Sequence, residues 1–184
     1  GKLADFELNV PGQHNVLNAL ACITLGLQVG VSLEVMQKTL KEFSGVKRRF
    51  QLKGQIDDIM IVDDYGHHRT EIVATLSAAR LCNKKRLVTV FQPHRYSRTK
   101  FLLNEFVESL KLTDQLIITD IYAASEKPTE GVDIKELLIP LEHALGSKVI
   151  YLKKDKILPY LTEHTQQGDL VLFLGAGDIY HDSD

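Results

Sequence analysis

The sequence predicts an α/β fold, a doubly wound and mostly parallel sheet with a short helical segment ahead of it. Three observations carry this. After Phe50, short apolar runs rich in Ile, Val and Leu alternate with helical stretches, as a parallel sheet covered on both faces requires. Before Phe50 the apolar residues recur mainly at helical spacing. The polar, titratable residues gather directly after the apolar runs, where open α/β sheets carry their ligands.

The elements follow in order. Residues 1–9 read as a short strand, broken by Pro11-Gly12. Over 13–30, Val16, Leu20, Ile23 and Leu27 recur at steps of three and four, with Ala19 and Ala21 allowing close packing and Gly30 as C-cap. Ser32 then caps a second helix whose stripe is Leu33, Met36, Leu40 and Phe43, ended by Ser44-Gly45 before the basic cluster Lys47-Arg48-Arg49. Two helices and one strand cannot close a core, so residues 1–48 must lean on something else. The remaining residues, 49–184, form the α/β unit, with strands at 59–62, 87–91, 116–121, 149–152 and 170–174. The helices between them bear Ile72, Leu76 and Ala79, then Leu102, Phe106 and Leu110, then Ile134, Leu137, Leu141 and Leu145, with a last helix over 154–163.

Composition excludes several classes. Hydrophobic residues at 44% and charged residues at 25% exclude disorder and low complexity. No apolar run approaches the ~18 residues of a membrane span, and no signal-peptide pattern opens the chain. A net charge of −2 argues against a nucleic-acid partner. Cys22 and Cys82 have neither metal nor redox spacing and read as free, buried thiols of a cytoplasmic protein. The chain opens on Gly1 and stops soon after a strand-like run, so we expect a piece of a longer protein.

Chemistry gathers at one sheet edge. Run 59–62 leads into Asp63-Asp64-Tyr65-Gly66-His67-His68-Arg69-Thr70-Glu71, and run 87–91 into Gln92-Pro93-His94-Arg95-Tyr96-Ser97-Arg98-Thr99. Run 116–121 is followed by Tyr122 and Glu126 and carries Asp120, and run 170–174 is followed by Gly175-Ala176-Gly177-Asp178. The acid pair also suits capping of the next helix. The histidine pair lacks a helical His partner, so no metal site is expected. Arg95 and Arg98, three apart at a helix start, would let two planar guanidiniums face one anion; a solvated basic patch is the alternative. The glycine turn lacks the third glycine of a dinucleotide fingerprint and follows the last strand, which counts against a nicotinamide-dependent oxidoreductase. In the first segment His14, Asn15 and Asn18 open a helix; an Asn amide complements an adenine edge, whereas Asn15 alone suits N-capping.

Together, residues 12–21 (GQHNVLNALA), 43–50 (FSGVKRRF), 63–71 (DDYGHHRTE), 91–99 (FQPHRYSRT) and 175–179 (GAGDI) resemble the Mur ligase family over nearly all of the chain. The stretches 63–71 and 91–99 point to its alanine-adding branch. The resemblance implies a three-domain enzyme of the cytoplasm, with 1–48 the end of the central ATPase domain and 49–184 a carboxyl-terminal Rossmann-like domain. It implies a reaction in which ATP, with Mg2+, activates the carboxylate of UDP-N-acetylmuramate as an acyl phosphate that the amine of L-alanine then attacks. By the same resemblance, His14, Asn15, Asn18, Arg49 and Asp64 bind the nucleotide, while Tyr65, His67, His68, His94, Arg95 and Arg98 line the substrate pocket. His67, Arg95 and Arg98 are the catalytic candidates, His67 as base and the arginines for the alanine carboxylate and developing negative charge. Two departures matter. Arg69 stands where the family has proline, and no GxxxxGK[ST] phosphate loop occurs in these 184 residues. The chain by itself is therefore expected to be inactive, to hold no cofactor tightly, and to need the rest of its own chain as partner. The alternatives are a muropeptide-recycling ligase of the same family and a non-catalytic Rossmann-like module for anionic ligands.

Overall fold

In the computed structural model, which describes residues 1–128 and 132–183, the helical segment comes first. Helices α1 (Gln13–Gln28) and α2 (Leu33–Glu42) form where the apolar spacing places them. The Ser32 side chain accepts from the Val35 N–H, and Gly30 at φ 79° turns the chain after α1. Residues 1–9 form no strand, because no neighbouring strand is offered to them. Only Ala19 of α1 and Met36 of α2 are buried, while Val16, Leu17, Leu20 and Leu25 stand exposed. The apolar stripe of α1 thus remains largely uncovered.

Among the described residues the sheet has six strands: β1 (Gln51–Ile56), β2 (Ile59–Asp64), β3 (Arg86–Phe91), β4 (Gln115–Ile118), β5 (Val149–Tyr151) and β6 (Asp169–Leu174). Their spatial order is β1-β2-β6-β3-β4-β5, antiparallel only between β1 and β2. The last strand in sequence inserts between β2 and β3, and all six of its residues are buried. That central place is why Asp169–Leu174 reads as an almost unbroken apolar run. Strand β1, absent from the expected list, is a polar edge strand with Leu52 and Ile56 exposed. Asp57 and Asp58 join it to β2 with φ of 47° and 65°, the double left-handed geometry of a tight hairpin turn.

Helices α3 (Arg69–Arg80), α5 (Leu103–Leu110) and α6 (Ile134–Leu145) bury Ile72, Leu76, Phe106, Leu110, Leu137 and Leu141 against one face, through Val62, Leu87, Leu116, Leu170 and Leu172. Helix α7 (Lys154–His164) and a final 3₁₀ turn (Ile179–Ser183) cover the other face, with Ile157, Leu161 and Ile179 on Val88, Val90, Val171 and Phe173. The alternation of Leu170, Leu172 and Leu174 with Val171 and Phe173 between the two layers is the strand period of two. The helix expected around Leu102 is split: α4 (Tyr96–Phe101) ends at Leu102, whose φ of −110° and ψ of 23° break the run before α5.

Candidate functional site

Because β2, β6 and β3 are neighbours, the loops that leave their carboxyl ends lie side by side. Two groups of side chains result.

The first lines a cavity of about 480 Å³ between the helical segment and the β2–α3 edge. His14, Asn15 and Asn18 from α1 face it together with Arg49 and Asp64, so all five residues expected to bind nucleotide share one space. Gly12, at φ 103°, starts α1; a Cβ there would stand 2.6 Å from the His14 ring. Asn15 does not cap the helix. It sits inside the first turn, where its Nδ2 donates to the Pro11 carbonyl at 2.6 Å. Asp64 is 4% exposed, its Oδ2 accepting from Phe50 N and its Oδ1 from Gly66 N, both at 2.7 Å. Burial pushes its carboxyl pKa up against the pull of those two N–H groups. Cys22 also lines the cavity and is exposed, and Cys82 is only half-buried. Neither thiol is the buried core residue expected, because α1 leaves its face open and Cys82 follows the end of α3.

The second group is the ring cluster at the start of α3. His67 lies edge-on to Tyr65 at 5.2 Å between ring centres, 4.6 Å from the His68 ring and 5.5 Å from the His94 ring. Its Nδ1 is 2.9 Å from the Tyr65 carbonyl, so in the neutral ring that nitrogen carries the proton and Nε2 holds the lone pair. Burial lowers the His67 pKa. His94 has the opposite tautomer. Its Nδ1 faces Arg98 Nη1 at 2.8 Å, and a guanidinium only donates, so the proton is on Nε2. Burial, with Arg98, His67 and Arg95 nearby, pushes the His94 pKa down to about 4. The two arginines do not share a helix face. Arg95 precedes α4 at φ 72° and is exposed, while Arg98, in the first turn, folds back onto His94. His68 is exposed. Among the described residues no three His, Cys, Asp or Glu side chains are grouped to hold a metal ion.

Glu71 joins the two groups. Its Oε2 accepts from the backbone of His67 (3.0 Å) and of His68 (3.2 Å), and its Oε1 lies 3.8 Å from Arg49. Burial opposes its ionisation, but those contacts outweigh it and hold the pKa below the usual range. Glu71, and not Asp63 or Asp64, therefore receives the chain at the start of α3. Asp63 is 1% exposed and pairs instead with Arg48, whose Nε is 3.4 Å away. Arg48 also donates from Nη2 to the Gly175 carbonyl at 2.7 Å and lies over the rings of Tyr65 and Tyr180. Sequence reasoning missed Arg48, whose partners lie 15 to 132 positions away along the chain, at Asp63, Tyr65, Gly175 and Tyr180. The Gly175–Gly177 turn packs against Gln92, itself tied to Asp178 and the Ile179 N–H.

The chain is similar to known proteins over nearly its whole length. The family model for the Mur ligase, glutamate ligase domain, matches residues 48–177. A UDP-N-acetylmuramate–L-alanine ligase from Caldanaerobacter subterraneus subsp. tengcongensis is 49% identical over 179 residues, covering 97% of this chain and 39% of that protein. Among solved structures, the UDP-N-acetylmuramate–alanine ligase MurC of Thermotoga maritima superposes with a TM-score of 0.78 at 33% identity, over 98% of this chain and 38% of its own. A murein peptide ligase of Psychrobacter arcticus gives a TM-score of 0.65 at 26% identity, over 96% and 37%. The chain thus spans about two fifths of the relatives it matches.

Proposed function

The chain belongs to the Mur ligase family, and from that premise we propose that it is the carboxyl-terminal portion of a cytoplasmic, ATP-dependent ligase that joins L-alanine to UDP-N-acetylmuramate in peptidoglycan synthesis. Residues 1–48 would close the central ATPase domain and residues 49–184 form the last domain. The observation that carries the reading is the sharing of one cavity by His14, Asn15, Asn18, Arg49 and Asp64, with the His67–His94–Arg98 cluster beyond Glu71. The identity to alanine-adding ligases supports the choice of branch.

The residues present suit a division of labour. The asparagine amides and His14 offer hydrogen bonds to a base, and Arg49 offers a guanidinium to ribose or phosphate. Asp64 faces the same space, so its remaining lone pairs can take sugar hydroxyls. His67, neutral with its Nε2 lone pair open, can accept a proton from the substrate's ammonium group and so free the amine to attack. His94 presents an Nε2–H donor beside it, and Arg95 and Arg98 supply positive charge for a carboxylate and for an oxyanion. No described cluster fits Mg2+, which would be held by nucleotide phosphates and the rest of the enzyme.

The test is phosphate release. The full-length protein should release phosphate from ATP only with UDP-N-acetylmuramate and L-alanine both present, and this chain alone should release none. Turnover by the isolated chain, or alanine-independent release by the whole protein, would overturn the proposal.

A further inference from the structure

The arginine turn after β3 is held in a conformation it would not keep unaided. Arg95 sits at φ 72°, a left-handed geometry that a side chain with a Cβ adopts only with outside support. Helix α4 begins immediately after it, and no side chain at its N-cap satisfies the first-turn N–H groups. The support comes from the loop after β4. Glu126 accepts from Ser97 N through Oε2 at 3.1 Å and from Ser97 Oγ through Oε1 at 2.6 Å. It thus acts as a cap supplied from elsewhere in the chain, and a carboxylate is the favoured charge at that end of a helix.

Tyr122 holds the other side. Its carbonyl accepts from Arg95 N and its N–H donates to the Pro93 carbonyl, both at 2.8 Å, in a one-residue parallel bridge with His94. Its ring stacks on the His94 imidazole at 5.7 Å and an interplanar angle of 17°. Yet Tyr122 is 37% exposed, so this ring is not a core residue that touches His94 by accident of packing. The room for it comes from Gly177, where a Cβ would stand 2.6 Å from Tyr122 Cγ.

We propose that Tyr122 and Glu126 are positioning residues that hold His94, Arg95 and Arg98 in register for the amino-acid substrate. The inference rests on the ligase reading and names residues that reading does not use. They act through the arginine turn, with no contact to the nucleotide cavity.

The test uses the full-length protein. Glu126→Ala and Tyr122→Ala should each raise KM for L-alanine about tenfold while KM for ATP stays within twofold. Glu126→Gln, which keeps an acceptor for Ser97, should restore most of the loss. An unchanged alanine KM, or alanine and ATP constants rising together, overturns the proposal. A second readout separates it from the ligase reading. In 15N spectra of this chain at pH 7.5, His94 should show the Nε2–H tautomer, and either alanine variant should turn it into an exchanging mixture. If the whole protein ignores L-alanine but the spectra change as expected, the ligase reading fails and the positioning role stands. If the His94 spectra do not change, the positioning role fails whatever the substrate.

Discussion

Protonation of His94 should destabilise this fold over a defined pH range. In the unfolded chain the imidazole has its ordinary pKa of 6.5, and in the folded chain burial and the neighbouring Arg98, His67 and Arg95 push it down to about 4. Between those values the unfolded chain binds more protons than the folded one, so stability rises with pH across the window. The stabilisation that His94 permits is fully present above pH 6.5 and is lost as pH falls towards 4. At ~1.4 kcal/mol per pKa unit the ceiling is ~3 kcal/mol. The ring is partly open to solvent, and screening reduces the expected effect to about 1–2 kcal/mol. His94→Gln keeps an oxygen that can accept from Arg98 and removes the titration. Urea unfolding of both proteins at pH 7.5, 6.0, 5.0 and 4.5 should show the native midpoint falling relative to the variant by roughly 0.5–1 M, for a slope of ~2 kcal/mol/M. Asp63 and Asp64, whose pKa values are raised by burial, favour the folded state as pH falls. Their contribution cancels in the comparison. A difference between the two proteins that stays constant from pH 7.5 to 4.5 would refute the assignment of a neutral, arginine-held His94.

Three further outcomes are expected. Arg69→Pro should stabilise the chain by about 0.4–1 kcal/mol in thermal or urea unfolding, because proline suits the first helical position. His68 before it is already extended, at φ −112° and ψ 154°; a loss of stability would mean that the Arg69 side chain has a role of its own. Asp64→Ala should cost roughly 2–4 kcal/mol, since it leaves the Phe50 and Gly66 N–H groups without their acceptor, and a cost under about 1 kcal/mol would show that water replaces both bonds. Arg48→Met should cost ~3 kcal/mol by stranding the buried Asp63 carboxylate, and adding Asp63→Leu should recover most of it. Additive losses in that double variant would exclude the pairing.

Much of the site was visible in the order of residues, and what was not has a common cause. The five buried or half-buried parallel strands announce themselves because each is apolar along its own length. The stretches that follow them are polar because they lie outside the sheet. Strand β1 was missed because an edge strand with one neighbour needs no continuous apolar run. The expected pairing of Arg95 and Arg98 on one helix face did not form, because the helix starts one residue later than their spacing assumed.

The sequence by itself therefore determined what is local: which apolar segments form the parallel strands, and which titratable groups follow them. Only the tertiary structure decided what those groups touch. That β6 enters between β2 and β3 brings the loops after all three together. That Arg48 reaches Asp63 and Gly175, or that Glu126 caps the helix carrying Arg98, depends on strand order across the whole chain. In the parallel strands and the helices that cover them burial follows the local hydrophobic pattern, whereas hydrogen-bond partners and pKa values follow from whichever distant segment is folded alongside.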